Sequence, residues 1–106
     1  MNFKNQEKLF MHVWNTRKHV SEISGKNLDT VPDFLFFNCF MHILSKGKYP
    51  KFKLSEKNIM LGTPLEHHLI DFGTEKERKE YEKENNCSFA VFYDKKEQLK
   101  IEDRIK

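Results

Sequence analysis

Four side chains stand out by type and spacing. They are an imidazole at His42, an amide sixteen residues later at Asn58, a second imidazole nine beyond that at His67, and a carboxylate at Asp71. His67 and Asp71 are four apart, so on a helix they share one face a turn apart, as two ligands of one ion would. An imidazole and a carboxylate together suit magnesium, manganese or zinc without choosing among them. His42 closes a short apolar run and precedes Ser45-Lys46-Gly47-Lys48-Tyr49-Pro50, which surrounds it with positive charge. A neutral imidazole titrating near 6.5 can take a proton from water there. The competing account of His42 is a core histidine hydrogen-bonded at a strand end.

These groups need particular elements to hold them. Thr63 is a good N-cap, Pro64 suits the first helical position, and Glu66 can close a capping box, so a helix carrying His67 and Asp71 begins here. His68 then points about 100° away and supports substrate or structure rather than the ion. Upstream, Phe34 to Leu44 is almost continuously apolar, which fits a strand buried on both faces from about Asn38 onward, although periodicity leaves a helix open for its first half. Ile59-Met60-Leu61 supplies a second short strand, and Asn58 before it is of a kind common in turns. Between them Lys46, Lys48, Lys51 and Lys53 nearly alternate. In a strand Lys51 and Lys53 would share one face and Phe52 and Leu54 the other. Such lysines either guard a solvated edge strand or track phosphates.

The order, the spacing and the loop wording His42-Ile43-Leu44-Ser45-Lys46-Gly47-Lys48-Tyr49-Pro50 resemble the HNH endonucleases, in particular phage-type members. The resemblance covers about a third of the chain closely and extends more loosely to Trp14–Gly25. It implies an α+β protein with a small ββα-metal core over about 20–72. An N-terminal helix over about 4–18 precedes it and a C-terminal helical extension over about 74–104 follows, all in one domain, 1–106. It implies His42 as general base, Asn58 as the residue that ties the loop and orients the base, His67 and Asp71 as ligands of a divalent ion, and DNA as substrate. Two departures matter. Ser21 and Ser24 stand where zinc-knuckle relatives carry Cys, so no structural zinc is expected. Met41 stands where many members carry a further hard ligand, and a thioether is a poor one.

The remaining sequence is consistent with one small folded unit. With 106 residues there is room for a single modest core. The ten Phe argue against disorder in so charged a chain. The net charge of +3 permits nucleic acid without demanding it. Leu9, Phe10, Val13 and Trp14 form the apolar stripe of the N-terminal helix, with His12 and His19 at the surface or capping. Val20–Leu28 reads as a tight turn with Gly25 at positive φ. The charge-dense 74–86 reads as a solvated helix ending near Asn85-Asn86, and the run from Ser88 as a further helix. Cys39 and Cys87 read as free thiols. No apolar run approaches the ~18 residues that would span a bilayer. The expected location is intracellular, in the cytoplasm.

The reading drawn from these residues is a metal-dependent DNA endonuclease in which His42 faces His67 and Asp71 across an open cleft. Its alternatives are a binding module that has lost catalysis, for which Met41 speaks, and a small protein-interaction protein.

Overall fold

The computed structural model describes residues 5–105; Lys4, the expected first residue of the N-terminal helix, lies outside them. The molecule is a small α+β fold with a two-stranded antiparallel sheet. Helix α1 spans Gln6–Thr16. The Asn5 side chain caps it by accepting from the Lys8 N–H at 2.9 Å, and Leu9, Phe10 and Val13 are its buried face. Just past its end, Arg17 donates to the carbonyls of Ile59 and Glu56 at 2.7 and 2.8 Å, tying α1 to the start of the second strand. The turn at 20–27 forms as expected: Val20 bridges Asn27 and Gly25 sits at φ +79°.

Asp33–Cys39 is a 3₁₀ helix, and strand β1 is only Phe40–His42. The buried strand expected from Asn38 is therefore shorter. Its single partner, β2 at Ile59–Leu61, matches it over three pairs, Phe40 with Leu61, Met41 with Met60 and His42 with Ile59. The residues before Phe40 gain more from ring packing than from an unpaired edge. Phe36 meets Trp14 and Phe40 edge-on at 5.0 and 5.2 Å.

Strand alternation divides the core. Phe40, Ile59 and Leu61 join Leu9, Phe10 and Val13 on the α1 side. Met41, Ile43 and Met60 join Leu69, Tyr81, Phe92 and Leu99 on the other. His42 lies on the Phe40 side by the same alternation, and the Phe10 ring stacks on Phe40 at 4.4 Å and sits 5.9 Å from the His42 ring.

The 43–58 connection contains no strand. Pro50–Phe52 and Glu56–Asn58 are short 3₁₀ turns, so Lys51 and Lys53 do not alternate on a sheet face as expected. Phe52 turns fully inward, and a 3₁₀ turn lets Pro50 begin it where a strand would lose a backbone donor.

Helix α2, Pro64–Phe72, carries the complete Thr63/Glu66 capping box. Helix α3, Glu75–Asn85, has a second one, Thr74 with Glu77, and ends on Asn86 in the left-handed region at φ 49°. Helix α4 is Ala90–Ile105. No helix among the described residues is long and apolar enough to cross a membrane.

Glu66 does more than cap. Although fully buried, its carboxylate accepts from Ser21 Oγ at 2.6 Å, from the Thr63 N–H at 2.8 Å and from Tyr81 Oη at 2.6 Å. A buried charge persists only when so satisfied. Ser21 Oγ also accepts from the Ile23 and Ser24 N–H groups, each at 3.0 Å. The turn at Ser21-x-x-Ser24 is thus held by hydrogen bonds onto the start of α2. The apolar surroundings push the Cys39 thiol up to about 11 and the Tyr81 hydroxyl up to about 12, Glu66 adding to both. Both cysteines are free, Cys39 buried and Cys87 half-buried.

Candidate functional site

The site gathers where the end of β1, the 3₁₀ helix before it and α2 meet. His42 is half-buried. Its Nε2 is covered and has no hydrogen-bond partner, while the backbone of Lys53 hydrogen-bonds to the ring. Its pKa lies below the usual 6.5, first because burial penalises the imidazolium, then because Lys46 is near; the Lys53 backbone opposes this, and His67 adds a smaller lowering. Among the described residues no protein group bonds Nε2, so whichever way the ring is protonated that nitrogen has no partner in the fold. Nε2 is covered rather than open to a cleft. Helix α1 is close by: the Phe10 ring is 5.9 Å from the His42 ring, and Lys46 Nζ donates to Gln6 Oε1 at 2.9 Å.

Asn58 is fully buried and closes the connection. Its Oδ1 accepts from the Leu44 N–H at 2.7 Å, its Nδ2 donates to the Leu44 carbonyl at 2.9 Å, and its own carbonyl accepts from the Ile43 N–H at 2.9 Å. It thereby fixes the two residues that follow His42. No atom of Asn58 faces solvent, so its part in any chemistry is positional.

His67 faces the same region from α2, near enough for its charge to act on His42. Its Nδ1 donates to the Asn38 carbonyl at 2.9 Å, and its Nε2 stands 3.1 Å from Asp71 Oδ2. The expected i, i+4 pair is therefore formed. A cation held at about 2.1 Å by oxygen and nitrogen sets adjacent octahedral ligands about 3 Å apart, so the pair already has one edge of such a shell. No cluster of three or more His, Cys, Asp or Glu suited to a metal occurs among the described residues. Two protein ligands suit a hard ion that keeps water and takes substrate phosphate rather than a closed tetrahedral zinc site. Met41 is buried and contributes nothing here; its methyl group lies against Gly62 on the opposite sheet face.

The lysines divide. Lys46 comes close to His42. Lys48 is exposed on the following turn, and Lys53 is exposed while its backbone serves the His42 ring. Lys51 instead turns toward α4, 3.9 Å from Asp103 and over the Phe52 ring. His68 is exposed and tilts against Phe72 at 5.5 Å. His12 and His19 stay out of the site: His12 pairs with Glu56 at 2.9 Å, and His19 stacks on Trp14 at 3.6 Å.

Sequence reasoning missed the Asn38 carbonyl, the Lys53 backbone, Gln6 and Phe10. Backbone carbonyls leave no signature in residue type, and the two α1 residues are over thirty positions from His42. No family model, curated protein or solved structure matches the chain.

Proposed function

We propose that the chain is a metal-dependent DNA endonuclease of the HNH type, with a ββα-metal core formed by β1, β2 and α2. The observation that carries the reading is the His42 Nε2, covered and without a hydrogen-bond partner, on a ring at the end of β1 whose pKa burial lowers. A buried acceptor without a partner costs roughly 1–3 kcal/mol, and a general base needs such a lone pair. His67, one helix away, holds its Nε2 beside the Asp71 carboxylate.

In the proposed reaction His42 Nε2 takes a proton from a water whose oxygen attacks the scissile phosphorus. The P–O3′ bond breaks, and the leaving 3′ oxygen takes a proton from solvent water, giving a 5′-phosphate and a 3′-hydroxyl. A divalent ion held by His67 and Asp71 would supply positive charge to the phosphate oxygens and the leaving oxygen. Lys46 and Lys48 add sequence-independent attraction for phosphates. Asn58 keeps His42 and the loop after it in register. Access to Nε2 requires the groups that cover it to move aside. The cytoplasm is the proposed location.

The test is cleavage of plasmid and of single-stranded DNA by the purified chain with magnesium, manganese or zinc. Loss of about 10²- to 10⁴-fold in His42→Ala is expected for a removed general base; unchanged cleavage would remove the proposal. The covered Nε2 and the two-ligand metal site favour a second reading, a module that binds DNA without cutting it. That reading is met by salt-sensitive DNA retention with no nicking in any of the three ions.

A further inference from the structure

Two large aromatic rings beside the site point into solvent. Phe34 is 84% exposed and Phe37 is 50% exposed. Both lie on the 3₁₀ helix Asp33–Cys39, where residues three apart eclipse one another, so the two rings present one edge. Their position is tied to both halves of the site. Phe37 precedes Asn38, whose carbonyl orients His67. Its ring is 6.0 Å from Phe10, and Phe10 is 5.9 Å from His42.

Solvated phenylalanines of this kind are costly to display. A protein partner would require about 800 Å² from this surface, while two aromatic side chains offer at most ~150–250 Å² each. A flat π-face with a cation in its surroundings instead matches a nucleobase: Lys46, close to His42, donates to Gln6, one helical turn before the Phe10 ring on which Phe37 packs. Bases within a duplex are stacked on each other and cannot reach such a ring, whereas unpaired or extruded bases can.

We propose that Phe34 and Phe37 form a stacking platform for an unpaired base, so that the substrate is single-stranded or locally unpaired nucleic acid rather than intact duplex. This deepens the nuclease reading and rests on the same site. The platform sets which strand is bound, while His42, His67 and Asp71 act on the adjoining phosphate.

The test measures fluorescence anisotropy of the full chain in EDTA, so that binding is read without cleavage, against a short oligo-dT strand and a duplex of equal length. Phe34→Ala is the main variant because that ring is almost wholly solvated. It should weaken oligo-dT binding by about tenfold, in the range for loss of one base stack, and leave duplex binding unchanged. Phe34→Tyr should retain the wild-type affinity. Phe37→Ala, read with a circular dichroism control because its ring also packs on Phe10, should act in the same direction.

Equal losses for both probes, no loss for oligo-dT, or no binding of either probe overturns the platform. So does self-association that Phe34→Ala abolishes in sedimentation. Failure of the nuclease reading is separable. Strand-selective binding lost in Phe34→Ala, in a chain that nicks no DNA, sustains the platform and removes the nuclease. Nicking indifferent to Phe34, with no strand preference in binding, does the reverse.

Discussion

His67 Nε2 lies 3.1 Å from Asp71 Oδ2 while its Nδ1 donates to the Asn38 carbonyl. A carbonyl cannot donate, so Nδ1 carries a proton, and a neutral ring would then aim its Nε2 lone pair at a carboxylate. Two lone pairs at that separation repel. A divalent ion between Nε2 and Oδ2 would remove that repulsion.

The pair should therefore take up a divalent ion. Titration of the chain with manganese, followed by calorimetry, is expected to give near one equivalent. Asp71→Ala and His67→Ala should each abolish that binding. Stoichiometric uptake surviving in both variants would place the ion elsewhere.

His42 gives a pH prediction of definite sign. Its folded pKa lies below the ordinary 6.5, chiefly through burial, so the neutral form dominates at and above neutrality. Stability from this lowered pKa is fully present above the unfolded value near 6.5 and is lost as pH falls through the folded one. The nicking rate should accordingly be flat near pH 7 to 8 and decline only below about 6.5. Thermal unfolding midpoints should fall over the same acidic interval, and less so in His42→Gln. An acidic limb centred above 6.5 would contradict the assignment.

The Glu66 carboxylate should matter to the fold more than any surface ion pair. Replacing it by Ala strands the hydroxyls of Ser21 and Tyr81 and the Thr63 N–H in a buried site. Hydrogen bonds to a charged group contribute roughly 1.5–3 kcal/mol each, so a loss of about 3 kcal/mol or more is expected in urea unfolding, a large part of an ordinary domain's stability. Tyr81→Phe should cost about half as much or less, and Lys79→Ala, whose partner Glu75 is exposed, close to nothing. Equal midpoints for Glu66→Ala and the wild type would show that the network contributes no stability.

Lys46 and Lys51 should separate in salt dependence. Lys46 adjoins His42, whereas Lys51 faces Asp103 on α4. Lys46→Ala is expected to reduce the slope of log affinity for DNA against log salt by about one, the loss of one phosphate contact. Lys51→Ala should leave the slope unchanged. Identical slopes for the two variants would mean that DNA does not lie along the loop after His42.

What the sequence determined by itself is local. Thr63 with Glu66, Gly25 and the Asn85-Asn86 stop are legible because caps and positive-φ positions are satisfied within four residues. The i, i+4 placement of His67 and Asp71 follows from helix geometry alone. Tertiary structure decided the rest. The stretch before Phe40 looked like strand by composition, but a strand needs a partner along its whole length, and β2 reaches only to Phe40. Lys51 looked like a phosphate contact until the chain turned at Pro50 and sent it to α4. Glu66 read as a cap, and only the approach of Ser21 and Tyr81, forty-five residues before it and fifteen after, made it the tie between three segments. His42 received its lowered pKa from burial and from Lys46, against the pull of the Lys53 backbone. Burial, unlike capping, is a property of whatever the rest of the chain brings alongside.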